Sequence, residues 1–404
     1  MDYPFFWGAA TSAWQVEGGI HNDWTEWELA TAKRRALAAK DESLPDFILK
    51  GDPDPLREET YISGRAADHY NRFEKDFDIA KSLGHNAHRF SIEWSRIEPE
   101  EGKWNDAEIE HYRKVIDALR DRGMEPFVTL WHFTLPLWLE KKGGVRAKKF
   151  PEYFARYAAF TGERLKHDVK FWATLNEPEV YAAAAYFRGI WPPEKRGPYA
   201  FFAALRNLAR AHEAGYHALK LVDSTFNVGA VVDRVFFESA GGFVNDTLTR
   251  IAAAFWNGYF LNRTRRDIDF IGLNYYFRNR IDYGFNKNEN REVSDVGWEL
   301  YPEGIYRMLT DLAKYGKPIY VTENGVADAR DAYRAKFVAD HIDWMKKAMA
   351  EGVDVRGYFH WSLLDNVELA KGKWPRFGLV EVNYKTMERK IRPSAWEYKK
   401  IISS

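Results

Sequence analysis

Short runs in which apolar residues alternate or crowd together recur along the chain, separated by longer stretches whose apolar positions fall three and four apart. Eight runs read as strands: residues 5–13 (FFWGAATSA), 86–92 (NAHRFSI), 125–133 (EPFVTLWHF), 170–177 (KFWATLNE), 227–233 (NVGAVVD), 269–276 (DFIGLNYY), 318–325 (PIYVTENG) and 355–366 (VRGYFHWSLLDN). A period near two, rich in β-branched and aromatic residues and bounded by turn formers, is what a strand packed on one or both faces needs. The helical period is clearest over 65–84, 106–123 and 331–352. The last two open on Asp and close at or just before Gly, as capped helices do.

Strands alternating with helices in one undivided chain predict a (β/α)8 TIM barrel in preference to an open doubly wound sheet. No Pro/Gly/Ser-rich linker, composition break or repeat interrupts residues 1–404, so the whole chain reads as a single domain. Its length exceeds a bare barrel, and the excess is assigned to inserted loops. The largest is 24–64, after the first strand, where charged and proline-broken sequence predicts a surface element without chemistry.

Composition narrows the function classes. The 59 basic and 59 acidic residues cancel, which argues against nucleic acid or an anionic membrane as the main partner. With no cysteine, disulfides, thiol catalysis and Cys-ligated metals are excluded. The N-terminal MDYPFFWGAATSAW lacks the layout of a secretion signal, and apolar runs such as IAAAFW (251–256) fall far short of a membrane span. A cytoplasmic protein is expected. Heavy charge usage without cysteine points toward a thermophile. Aromatic residues make up 16% of the chain, and their flat apolar faces suit either core packing or stacking on sugar rings.

In a barrel of this kind the site lies at the loop-side strand ends. Seven of the eight ends carry polar or aromatic groups able to bind a polyol: Gln15 with Glu17, Arg89, His132, Asn176 with Glu177, Asn274 with Tyr275, Glu323 with Asn324, and Trp361 with Asp365, Asn366 and Glu368. Glu177 and Glu323 end the fourth and seventh strands, which face one another across the mouth. Each alone reads as a solvated turn residue, and the Asn-Gly that follows Glu323 favours such a turn because both residues tolerate positive φ. Together, each beside an asparagine, they suit glycoside hydrolysis, retaining if about 5–5.5 Å apart and inverting if about 6.5–9.5 Å apart. Arg89 could keep Glu323 ionised or form a structural ion pair. Glu177, near a charged neighbour and aromatic walls, suits a general acid. His132 has no second ligand at metal spacing and reads as a hydroxyl donor, and Trp361 as a stacking platform.

These segments closely resemble glycoside hydrolase family 1, the β-glycosidases. The resemblance runs from FFWGAATSAWQVEG through RFSIEWSRIEP, TLWHFTLPLWL, TLNEP, IGLNYY, YVTENG and WSLLDNVE to RFGLVEV at 376–382. It implies a retaining exo-β-glycosidase acting on terminal non-reducing β-D-glycosides, with a small-molecule substrate, no cofactor or metal, and transglycosylation as a side activity. By that resemblance Glu177 is the acid/base and Glu323 the nucleophile. Arg89 holds the nucleophile and Tyr275 touches it. Gln15, His132, Asn176 and Glu368 bind the sugar, Trp361 lies beneath it, and Trp131 lines the pocket near its distal hydroxyls.

Two positions depart from the family. Leu369 stands where tryptophan is usual and Lys373 where an aromatic is common, and both touch the choice between β-glucoside, the foremost expectation, and β-galactoside, β-mannoside or β-fucoside. A 6-phospho-β-glycosidase would carry Ser at Glu368 and Lys and Tyr at Pro375 and Phe377, and none of these is present. A catalytically weak sugar-binding barrel is the non-enzymatic alternative, to which only the Leu369 and Lys373 loop points. Exposed aromatics and shortened loops are compatible with a homo-oligomer.

Overall fold

The computed structural model describes residues 4–42 and 44–404, so the first three residues and Ser43, inside the predicted insert, lie outside it. Each of the eight predicted runs forms a strand: β1 (Phe6–Ala10), β2 (Ala87–Ser91), β3 (Glu125–Trp131), β4 (Phe171–Asn176), β5 (Asn227–Asp233), β6 (Phe270–Asn274), β7 (Ile319–Asn324) and β8 (Val355–Trp361). All pair in parallel with their sequence neighbours, and β8 closes the barrel on β1, Phe6 standing opposite Gly357 and Ala10 opposite Trp361.

The barrel interior is filled by rings. Phe6, Phe127, Phe171, Phe270, Tyr320 and Phe359 form one buried cluster, with Phe127 and Phe171 stacked at 4.3 Å between centroids. Each such ring removes on the order of 150–250 Å² from water, so much of the aromatic content builds the floor under the mouth. Room for it comes from small residues in the strands. A Cβ at Gly229 would fall 2.7 Å from the Phe270 ring.

The predicted helices are present at His69–Ser82, Asp106–Asp121 and Arg334–Ala350. Their caps differ in detail. Asn105, one residue before the predicted Asp, accepts from the N–H groups of Ala107 and Glu108. The third helix starts after Asp331, and Asp328 Oδ2 accepts from Tyr333 and Arg334 N–H at 2.7 and 3.0 Å. The predicted loop 24–64 is corrected more deeply. It holds a helix of 16 residues, Asp23–Ala38, capped by Asn22 and burying Trp24, Glu28 and Ala32. Two small sheets were not predicted: Phe236–Ser239 beside Arg278–Ile281, in the loops after β5 and β6, and the pair Val380–Val382 and Arg389–Ile391. Among the described residues no helix is long and apolar enough to cross a membrane.

Candidate active site

Two acids meet at the loop-side rim in different surroundings. β4 ends at Asn176, and Glu177 then takes the left-handed conformation, φ 43° and ψ 59°, before Pro178 opens a short helix. A non-glycine residue there costs on the order of 1–3 kcal/mol. The conformation is held by the Glu177 N–H, which donates to Val231 O on β5 at 2.8 Å, and it turns the carboxyl into the mouth. Across the barrel, both oxygens of Glu323 are engaged. Arg89 Nη1 donates to Oε1 at 2.5 Å and the Tyr276 hydroxyl donates to Oε2 at 2.6 Å.

Among the described residues Glu177 forms no ion pair. Its Oε1 accepts from Asn274 Nδ2 at 2.6 Å. Asn274 is also the ladder partner of Glu323, and its own carbonyl accepts from Thr322 Oγ1, which fixes the amide orientation. The two acids are 7% and 3% exposed. Burial pushes the Glu177 carboxyl well above the usual range, and the charges of Glu323 and Asp233 push the same way, while the Asn274 hydrogen bond and Arg89 only partly oppose them. Two carboxyls in unlike environments are the pattern of one proton donor and one anion.

Around them Asn176 Oδ1 accepts from Arg89 Nη2 at 2.6 Å and faces Asn274 Nδ2 at 3.3 Å, so its amide donates to His132 Nε2 at 3.2 Å. Burial holds His132 neutral, well below the usual imidazole range, with the Arg89 charge adding to the effect. With Nε2 as acceptor, the ring hydrogen sits on Nδ1, which has no partner among the described residues. The imidazole stacks near Trp361, 5.9 Å between centroids. Glu368 accepts from Trp361 and is pushed up to about 8, first by burial and then by the Glu323 charge. Its Oε2 is enclosed without a partner among the described residues. Thus a neutral N–H donor and a carboxyl oxygen remain unpaired beside the Trp361 ring.

Several expected residues do something else. Tyr275 is corrected: its hydroxyl donates to Tyr301 O, and the tyrosine on Glu323 is Tyr276. Side chains alternate along β6, so with Asn274 facing the mouth Tyr276 faces it too and Tyr275 turns outward. Trp131 is corrected likewise. It is 1% exposed, packed edge-on against Tyr181, and its N–H is taken by Thr134 O. Gln15 lies under the β8 loop with its amide donating to Val367 O and Asn366 Oδ1, which leaves only its oxygen, already accepting from Ser12, to face a ligand.

The β8 loop itself also departs from expectation. Leu369 packs half-buried on the main core at φ 47° and offers no polar group. The Lys373 ammonium lies over the Tyr384 ring, 5.6 Å from its centroid. Burial lowers its pKa, opposed by Glu28 and Glu59 of the first insert. Glu17 and Asp365 leave the mouth altogether, Glu17 for Tyr112 and Arg96 and Asp365 for Arg376 and Arg392.

The Asn-Gly corner is not a positive-φ turn. Neither Asn324 nor Gly325 takes positive φ. Asn324 donates to Tyr275 O at 2.6 Å and accepts from the Tyr358 hydroxyl at 2.8 Å. Gly325 is needed for close approach, since a Cβ there would fall 1.8 Å from Trp361 O. Sequence reasoning also missed Asp233, the last residue of β5, which accepts from Trp256 Nε1 at 3.1 Å. The signal was available, because NVGAVVD ends in an acid as TLNE does.

The profile described as "Glycosyl hydrolase family 1" matches residues 2–266 and 258–404. The chain is 33% identical to β-glucosidase A of Thermotoga maritima over 451 residues, covering 99% of this chain and 97% of that protein. It is 31% identical to a β-galactosidase of Pyrococcus woesei, covering 95% and 93%. The solved structure of a β-glycosidase from Pyrococcus horikoshii superposes with a TM-score of 0.87 at 36% identity, covering 100% of this chain and 95% of that one.

Proposed function

The chain belongs to glycosyl hydrolase family 1 and is a β-glycosidase, and from that premise we propose that it is a retaining exo-acting enzyme for terminal β-D-glycosides, β-glucosides foremost. One observation carries the mechanism: Arg89 and Tyr276 hold both oxygens of Glu323 while Glu177, buried and without a cation, keeps its proton. A Glu323 oxygen attacks the anomeric carbon as the bond to the leaving oxygen breaks, and Glu177 gives its proton to that oxygen. Water then enters, Glu177 takes one of its protons, and the oxygen attacks the anomeric carbon to free Glu323. An alcohol or a second sugar in place of water gives transglycosylation.

The unpaired His132 Nδ1–H and Glu368 oxygen suit neighbouring hydroxyls of a terminal sugar lying on Trp361. Such hydrogen bonds tighten as charge develops at the ring. With its ammonium over Tyr384, Lys373 is poorly placed to meet a phosphate, which weighs against a 6-phosphoglycoside. The names of the relatives support β-glucosides and β-galactosides as the substrates to try first.

The deciding experiment follows the anomer released first from a nitrophenyl β-glucoside by proton NMR, together with trapping by a 2-fluoro sugar. Initial β-glucose and a sugar adduct on Glu323 are expected. Initial α-glucose would overturn the retaining mechanism, and a panel of galactoside, mannoside, fucoside and 6-phosphoglucoside would rank the glycones.

A further inference from the structure

The fifth strand end supplies a third acid to the mouth. Asp233 stands opposite Asn274 in the β5–β6 ladder, and Asn274 stands opposite Glu323 in the next. Two ladder spacings put the Asp233 and Glu323 backbones about 10 Å apart with Asn274 between them. On the other side, the Glu177 N–H bonds Val231 O, two residues before Asp233. The acid therefore lies at the rim beside the very amide that contacts Glu177.

Among the described residues Asp233 forms no ion pair. Asp233 is 7% exposed, and among the described residues the one hydrogen bond to its carboxyl comes from Trp256 Nε1, a neutral donor at the end of the helix Phe243–Trp256. A buried carboxylate without a cation is costly, and costs of this kind are kept where they serve a site. Arg234 follows it directly, but that guanidinium donates to Asp311 and to Asn257 O. The other charged or titratable groups around it are Glu177 and Glu179 from the end of β4 and the turn after it, Glu323 from β7, and the Tyr275 hydroxyl, with Arg89 reaching Glu323 from β2. Among the described residues no three acids or histidines group closely enough to hold a metal ion.

We propose that Asp233 is a positioning residue that holds the proton on Glu177 at the alkaline side of the working range. The inference rests on Glu177 being the acid. Burial, more than the Glu323 charge, pushes Asp233 up to about 7, with the Trp256 N–H and, less, the Arg234 charge opposing. Glu177 is pushed well up, with the Asp233 charge contributing. A negative charge on Asp233 makes the loss of the Glu177 proton harder, so the acid form of Glu177 persists further toward the alkaline side while Asp233 is ionised.

The test is the pH profile of kcat/KM on a nitrophenyl β-glucoside for the wild type, Asp233→Asn, Asp233→Glu and Trp256→Phe. Removing the charge lowers the Glu177 pKa, so Asp233→Asn is expected to move the alkaline limb down by about one pH unit, a loss of about tenfold above the limb. Asp233→Glu restores the limb. Trp256→Phe removes a donor that favours the Asp233 anion, so it moves the limb the same way by less. An unmoved alkaline limb in Asp233→Asn, or an equal loss at every pH, would overturn the proposal as a merely structural role. If Asp233→Asn does not fold, Trp256→Phe decides alone, and an unmoved limb there overturns it. A wild type that releases no sugar from any aryl β-glycoside would instead sink the underlying reading of Glu177, and this inference with it.

Discussion

Arg89 and Glu323 form a buried ion pair, 2.5 Å between Nη1 and Oε1, and the same guanidinium donates through Nη2 to Asn176 Oδ1 at 2.6 Å and through Nε to Thr129 Oγ1 at 3.1 Å. One side chain on β2 therefore sets the position of Glu323 on β7 and of Asn176, the residue before Glu177. A lysine would keep the charge and lose the fork, so Arg89→Lys is expected to lower kcat by about a hundredfold with a smaller change in KM. Arg89→Met leaves Glu323 buried without its cation and is expected to cost roughly 3–5 kcal/mol in denaturant unfolding. Wild-type kcat in Arg89→Lys would remove the guanidinium from the mechanism.

The two adjacent tyrosines separate by role. Tyr276 donates to Glu323 Oε2, whereas Tyr275 donates to a backbone carbonyl on the outer side. Tyr276→Phe is expected to lower kcat about tenfold or more and to slow breakdown of the trapped 2-fluoro adduct. Tyr275→Phe should leave kcat near wild type and cost about 1 kcal/mol of stability, the worth of one hydrogen bond. The reverse pattern in steady-state kinetics would reinstate Tyr275.

That pair also shows how far the sequence was legible. The barrel could be read because each strand is buried on both faces, and a two-sided apolar run stands out from amphipathic helices. Glu177, Glu323, His132 and Trp361 could be read because each stands at or beside the end of such a run, and Arg89 because a lone arginine inside an apolar run calls for a buried anion. Tyr276 was missed by one residue, since a strand end is uncertain by about that much and alternation then exchanges inside for outside. Lys373 and Asp365 were misplaced because their partners, Tyr384 and Arg392, come from segments that only folding brings near. The helix Asp23–Ala38 was hidden because it buries polar Glu28 and Thr31, which blurs its apolar stripe.

Acid should weaken the fold through histidines that are buried neutral. His85 is fully buried, neither ring nitrogen has a partner among the described residues, and burial lowers its pKa to about 3. The unfolded chain takes up that proton near pH 6.5, so the contribution is fully present above about 6.5 and is lost as pH falls toward about 3. Each such histidine costs up to about 1.4 kcal/mol per pH unit within that window. Denaturant midpoints measured from pH 7 to pH 4 should fall, and His85→Phe should make the fall shallower. An unchanged slope would mean that His85 is protonated in the folded protein.

Gly325 tests whether the corner after Glu323 is a turn or a seam. A turn needing positive φ would tolerate Asn or Asp in place of glycine, but Gly325 does not take positive φ, and its missing side chain lets β7 close on the Trp361 carbonyl of β8. A methyl group 1.8 Å from that oxygen must push apart the strands that carry Glu323 and Trp361. Gly325→Ala is therefore expected to cost several kcal/mol of stability and to lower kcat/KM by about a hundredfold or more, because a displacement near 1 Å at the reacting group costs on that scale. Asn324→Ala offers the contrast, losing its bonds to Tyr275 O and the Tyr358 hydroxyl for about 1–3 kcal/mol without forcing the strands apart. If Gly325→Ala kept wild-type kcat/KM and unfolding midpoint, the close approach of β7 and β8 would have no part in placing Glu323.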